Sequence, residues 1–216
     1  MLMTKTPLLK EVLEEKLSNI DPNDDEISSL FQEQEYDPEN LTAFVSESLL
    51  RARLKQICLA SNGRLIFNPI QNGNTTNYEF RRQGEKTTVL KRDPRTGNRM
   101  DYSEIDALIL MCGLPVLFEI KIQGYKNDNK RGIKKAMRKE RVSYLLDPIR
   151  EYFKTPHCSY VLMVPESEIN PESQPFIGFA QQNGIIIPWC KDRHEYRKRI
   201  QEIESKKRTN LSSKKL

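Results

Sequence analysis

Glu104-Ile-Asp106 and Glu119-Ile-Lys121 stand on either side of two short apolar runs and a reversal. Two carboxylates and a lysine in this pattern suit hydrolysis at phosphorus. The carboxylates can hold a hard divalent cation, and the ammonium can orient or activate a water. Residues 104–122 read Glu-Ile-Asp-Ala-Leu-Ile-Leu-Met-Cys-Gly-Leu-Pro-Val-Leu-Phe-Glu-Ile-Lys-Ile. Apolar runs flanking Gly113-Leu114-Pro115 predict a β-hairpin. With the turn centred on Gly113-Leu114, Asp106 faces Lys121 and Leu108 faces Glu119. Opposed residues share a face of the sheet, as do residues two apart along a strand. Asp106, Glu119 and Lys121 therefore converge, while Phe118, Ile120 and Ile122 take the other, core-seeking face.

Charge in so apolar a strand is costly unless it is paired or binds a metal. The residues admit two readings. One is a partly buried ion pair that only holds structure. The other is a cation site, with Asp106 and Glu119 as ligands and Lys121 as the catalytic lysine. Mg²⁺, with Mn²⁺ as a substitute, suits a small set of oxygen ligands completed by water and substrate phosphate.

Through these residues the chain resembles the PD-(D/E)xK phosphodiesterases, the restriction-endonuclease-like superfamily. By position, Asp106 matches the first metal ligand, Glu119 the second and Lys121 the catalytic lysine. Ile105 departs from the pattern, standing where proline often sits, but Glu104-Ile-Asp106 is similar to a variant seen in several branches. The resemblance covers residues 40–190 as an order of elements; only the hairpin is motif-specific. It implies an α/β fold, a mixed central sheet flanked by helices in αβββαβ order, with an acidic N-terminal helical appendage. It implies a divalent-metal-dependent deoxyribonuclease, an endonuclease of restriction or junction-resolving type, with DNA as partner and a homodimer where both strands are cut. A non-catalytic nucleic-acid-binding module on the same fold is the alternative. Family members often carry an acid on the first helix near the metal. Glu47 matches it and is expected as a third catalytic and metal residue, with Glu104 in reserve and Gln123 facing substrate.

Several elements must position these side chains. Asp37-Pro38 predicts the start of a helix that runs to Ala60 and stops at Asn62-Gly63. On it Glu47 lies within about 20° of Leu54 and Cys58, which reads equally as an acid at the edge of the apolar stripe. Residues 64–68 predict a first strand. A turn-rich stretch to Asn98 follows, its turns separating short strand-like pieces such as Tyr78-Glu-Phe and Thr87-Thr-Val-Leu; it carries Arg81, Arg82, Lys86, Lys91, Arg92, Arg95 and Arg99, either phosphate contacts or a solvated insert. After the hairpin, Asp128 opens a helix with Ile133, Ala136, Met137 and Tyr144 on one side. Lys130, Lys134, Arg138 and Arg141 recur on another, a face for tracking a phosphate backbone or simply a solvated one. Leu146-Asp147-Pro148 predicts a break and a second helix through Phe153. A buried strand over 159–164, a helix over 174–182, a parallel strand over 185–189 and a charged helix over 193–206 complete the order.

Composition bounds the rest. The chain has 216 residues, 30% of them charged, enough for one good core. No apolar run approaches the ~18 residues of a membrane span. The start lacks the apolar stretch of a signal peptide, so a cytoplasmic location is expected. Cys58, Cys112, Cys158 and Cys190 are too scattered for a zinc site or a disulfide framework. Residues 1–40 carry three lysines and eleven acids, leaving 32 basic against 19 acidic residues beyond them. That basic remainder suits a polyanion. Residues 1–39 are expected as an acidic arm, solvated or docked to a protein partner, with a short stripe of Leu8, Leu9, Val12, Leu13 and Leu17. Residues 40–205 form the nuclease-like domain, and 206–216 a basic disordered tail.

Overall fold

The computed structural model describes residues 6–18, 23–33, 40–122, 139–169 and 184–213. Helices α1 (Thr6–Leu17), α2 (Asp24–Glu33) and α3 (Leu41–Ala60) come first. Strands β1 (Leu65–Phe67), β2 (Gly73–Asn74), β3 (Tyr78–Gln83), β4 (Lys86–Arg92), β5 (Arg99–Ile105), β6 (Ala107–Met111) and β7 (Leu114–Ile120) follow. Helix α4 (Lys139–Phe153), β8 (Ser159–Val164), β9 (Gly184–Pro188) and α5 (Arg193–Ser213) complete them. The fold is mixed α/β. A five-stranded sheet runs β1-β6-β7-β8-β9, antiparallel as far as β7 and parallel beyond it. A second, four-stranded sheet runs β2-β3-β4-β5 and is antiparallel throughout.

The five-stranded sheet is apolar on both faces, as strands covered on both sides must be. Ile109, Val116, Phe118, Val161 and Ile187 pack with residues of α1, α2, α3 and α5. Leu108, Leu117, Tyr160 and Leu162 pack on the other face with α4 and the second sheet. Among the described residues, no helix is long and apolar enough to cross a membrane.

The hairpin forms, but its register differs from the expected one by two residues. Met111 pairs with Leu114 and Ala107 with Phe118. The turn is Cys112-Gly113, with φ of +48° and +83°. Positive φ at both central residues matches the twist of the flanking strands. Leu114 therefore belongs to the strand. A slip of two leaves every side chain on its face; only a slip of one would reverse them.

The strand-like pieces expected before Asn98 form, as β3 and β4, and they pair within the four-stranded sheet. Three further expectations are corrected. The described part of residues 1–39 is not a solvated arm: Leu13, Leu17, Ile27 and Phe31 are buried with Val45, Trp189 and Ile200 in the main core. No break occurs at Leu146-Asp147-Pro148, since Pro148 lies inside α4. Burial of Val142, Leu145, Leu146 and Ile149 along one stripe of that helix outweighs the bond the proline removes. The basic tail is helical to Ser213 rather than disordered. Lys207 donates to the Phe31 carbonyl, which caps the C-terminal part of α2 and draws this stretch onto the body.

Helix α3 starts at Leu41 and ends as expected, with Asn62 and Gly63 at φ of +52° and +79°. The expected cap at Asp37 and the helix over 174–182 lie outside the described residues.

Candidate active site

Asp106 occupies the bend between β5 and β6, where the chain leaves one sheet and enters the other. Continued by one position, the β6–β7 register sets it across from Glu119. Its Oδ2 accepts the backbone N–H of Ile120 at 2.9 Å. The buried Arg51 donates through Nη1 to the Asp106 carbonyl at 3.2 Å. Burial raises the Asp106 carboxyl to about 7. Lys121 and the Ile120 N–H oppose that rise, while the charges of Glu47 and Glu119 reinforce it.

Glu119 is only 4% exposed. Its Oε1 lies 2.8 Å from Lys121 Nζ, and its Oε2 accepts the Tyr160 hydroxyl at 2.5 Å. Lys121 continues the parallel ladder by donating its N–H to Met163 O at 2.9 Å. Its side chain is 34% exposed, so the ammonium reaches the solvent side of a buried carboxylate. Asp106, Glu119 and Lys121 share one face, with Leu108 and Leu117 as apolar neighbours.

Glu47 is brought to this cluster by α3, and its charge reaches Asp106. Its Oε2 lies 3.6 Å from both Arg51 Nη1 and Lys86 Nζ. Lys86 also lies 3.1 Å from Glu104 Oε1. Both expected auxiliary acids thus rest against cations. Among the described residues, no three His, Cys, Asp or Glu side chains gather as a metal-ligand set. The donors that fit a small hard cation are Asp106 and Glu119, a pair that water and substrate phosphate would complete. Gln123, Lys130, Lys134 and Arg138 lie outside the described residues, and Arg141 falls in α4.

Two members of the cluster escaped the sequence reading. Tyr160 left a trace, a hydroxyl in an otherwise apolar strand. Arg51 left another, a cation four residues beyond Glu47 on the stripe that continues to Leu54. Lys86, expected among the basic residues of the turn-rich stretch, is instead brought to α3 by the β3–β4 hairpin, where it pairs with Glu47.

Comparison of the chain with models of known families, with curated proteins and with solved structures finds no match.

Proposed function

We propose that the protein is a divalent-metal-dependent deoxyribonuclease with a restriction-endonuclease-like core, an endonuclease of restriction or junction-resolving type. The observation that carries this reading is the convergence of Asp106, Glu119 and Lys121 on one buried face at the junction of two sheets. Asp106 and Glu119 would hold Mg²⁺ or Mn²⁺. Such a cation, when bound, polarises the scissile phosphate and supplies an acidified water. Lys121 orients that water and offsets charge developing on the phosphate oxygens. Apolar surroundings from Leu108 and Leu117 keep the local dielectric low and strengthen each of these interactions. Arg51 fixes the main chain at Asp106. Cutting both strands of a duplex calls for two copies of the chain.

A non-catalytic nucleic-acid-binding module is the second reading. It is favoured by the engagement of both Glu119 oxygens, which a purely structural ion pair would also show. Cleavage of plasmid, single-stranded and branched DNA with Mg²⁺, Mn²⁺ or EDTA separates the two. Metal-dependent cutting, lost in a folded Lys121→Ala protein, is the expected result. Binding that is indifferent to metal, with no cutting of any substrate, would favour the module.

A further inference from the structure

Tyr160 is fully buried on β8, in register with Leu117 of β7 and followed by Val161, Leu162, Met163 and Val164. A hydroxyl in such a strand is costly unless it is bonded, and a phenylalanine would fill nearly the same volume without that demand. Here the hydroxyl donates to Glu119 Oε2 at 2.5 Å. The strand behind it leaves little play. Gly184 of β9 lies opposite Tyr160, and a Cβ there would sit 2.0 Å from the Tyr160 carbonyl oxygen. Asp106 is treated in a parallel way, with Oδ2 held by the Ile120 N–H. Each carboxylate therefore has one oxygen fixed by a donor from the strand framework. The other Glu119 oxygen, Oε1, lies on the lysine side.

We propose that Tyr160 is the positioning residue of the cation site: its hydroxyl fixes Glu119 Oε2, presents Oε1 to a divalent cation and so sets the affinity for that cation. The inference rests on the nuclease reading and adds a residue that the hairpin motif does not contain. Hydrogen bonds to metal-ligating side chains orient them, and their loss typically weakens metal affinity roughly 10- to 100-fold.

The test compares the full-length wild type, Tyr160→Phe, Glu119→Gln and the double variant. Mn²⁺ and Mg²⁺ binding is followed by calorimetry and by the metal-induced rise in melting temperature. Plasmid cleavage is measured across the same metal concentrations. The expected result is a Tyr160→Phe protein that melts cooperatively in EDTA, with a metal midpoint raised roughly 10- to 100-fold. Its cleavage rate at saturating metal stays within a few-fold of wild type, a split that a general loss of structure would not give. In the Glu119→Gln background, Tyr160→Phe adds no further loss of metal binding. An unchanged metal midpoint in Tyr160→Phe, with a responsive wild type, overturns the role of Tyr160 and leaves the nuclease reading standing. If Tyr160→Phe does not fold, the Glu119→Gln protein decides by its metal midpoint: one equal to wild type overturns the proposal. A wild type that neither binds metal nor cuts overturns the nuclease reading and this inference with it.

Discussion

Asp106 Oδ2 accepts the Ile120 N–H at 2.9 Å, which ties the bend between the two sheets to the strand carrying Glu119. This bond sets the geometry of the cluster, because β5 and β6 meet at Asp106 and belong to different sheets. Lys86 makes the same connection from the β3–β4 hairpin, reaching Glu47 on α3 and Glu104 on β5.

Asp106→Asn separates stability from chemistry. The amide matches the carboxylate in shape and can still accept the Ile120 N–H, but it carries no charge to desolvate. Melting temperature in EDTA should equal or exceed that of wild type. Cleavage should fall by roughly 10²-fold or more, the scale of losing one electrostatic element of an active site. Metal-induced stabilisation should disappear. A variant that retains both cleavage and metal-induced stabilisation removes Asp106 from the ligand pair.

Leu17→Ala tests whether the N-terminal helices belong to the body. Leu17 is fully buried in the same cluster as Val45, Trp189 and Ile200. The truncation should cost about 2–5 kcal/mol in urea unfolding, the range for a large-to-small change in a packed core. A cost under about 0.5 kcal/mol, typical of surface substitutions, would return residues 1–39 to the status of an appendage.

The sequence made the working face of the hairpin legible even with the turn misplaced. Parity along β6 and β7 decides which side chains share a face, and a two-residue slip preserves parity. Helix α3, strands β1, β6 and β7 and the parallel β8–β9 pair were also readable, because long apolar runs bounded by turn residues leave few choices. The helical character of the N-terminal segment was readable too, but its packing onto the core was not. Its acidic surface dominates the composition, while Leu13, Leu17, Ile27 and Phe31 supply only a narrow stripe whose partner is remote in sequence. Nor was the assembly of the second sheet: the pieces that become β3 and β4 were readable, but their charged outward positions alternate with buried Tyr78, Phe80 and Val89 and they pair through ordinary turns. Tyr160 is illegible for a different reason. Its role depends on β8 lying parallel beside β7, a relation that pairs residues 41 positions apart.

Gly184→Ala should act on the site at a distance. The added methyl would meet the Tyr160 carbonyl oxygen at 2.0 Å, a backbone atom that cannot rotate away. The β8–β9 pair must open locally, at the upper end of about 1–3 kcal/mol or beyond for overpacking. Tyr160 and Glu119 would shift with it. The expected outcome is a lower urea midpoint together with a raised metal midpoint. An alanine variant equal to wild type in both would show that β9 does not constrain Tyr160.

The pH dependence follows from the burial of Asp106. Its carboxyl rises from 3.8 to about 7 on folding, with desolvation the leading cause. Between those values the folded protein holds a proton that the unfolded chain releases, so this group's contribution to stability is greatest in acid and declines as pH rises toward 7. Cation binding has the opposite sign. The proton must leave Asp106 before the carboxylate can ligate, so the metal-induced rise in melting temperature should grow from pH 5.5 to pH 8 with its steepest change near 7. Melting curves in EDTA and in Mg²⁺ across that range provide the check, with Asp106→Asn as the control that flattens both trends. A metal response as large at pH 5.5 as at pH 8 would mean that Asp106 is ionised throughout and that its burial does not govern the site.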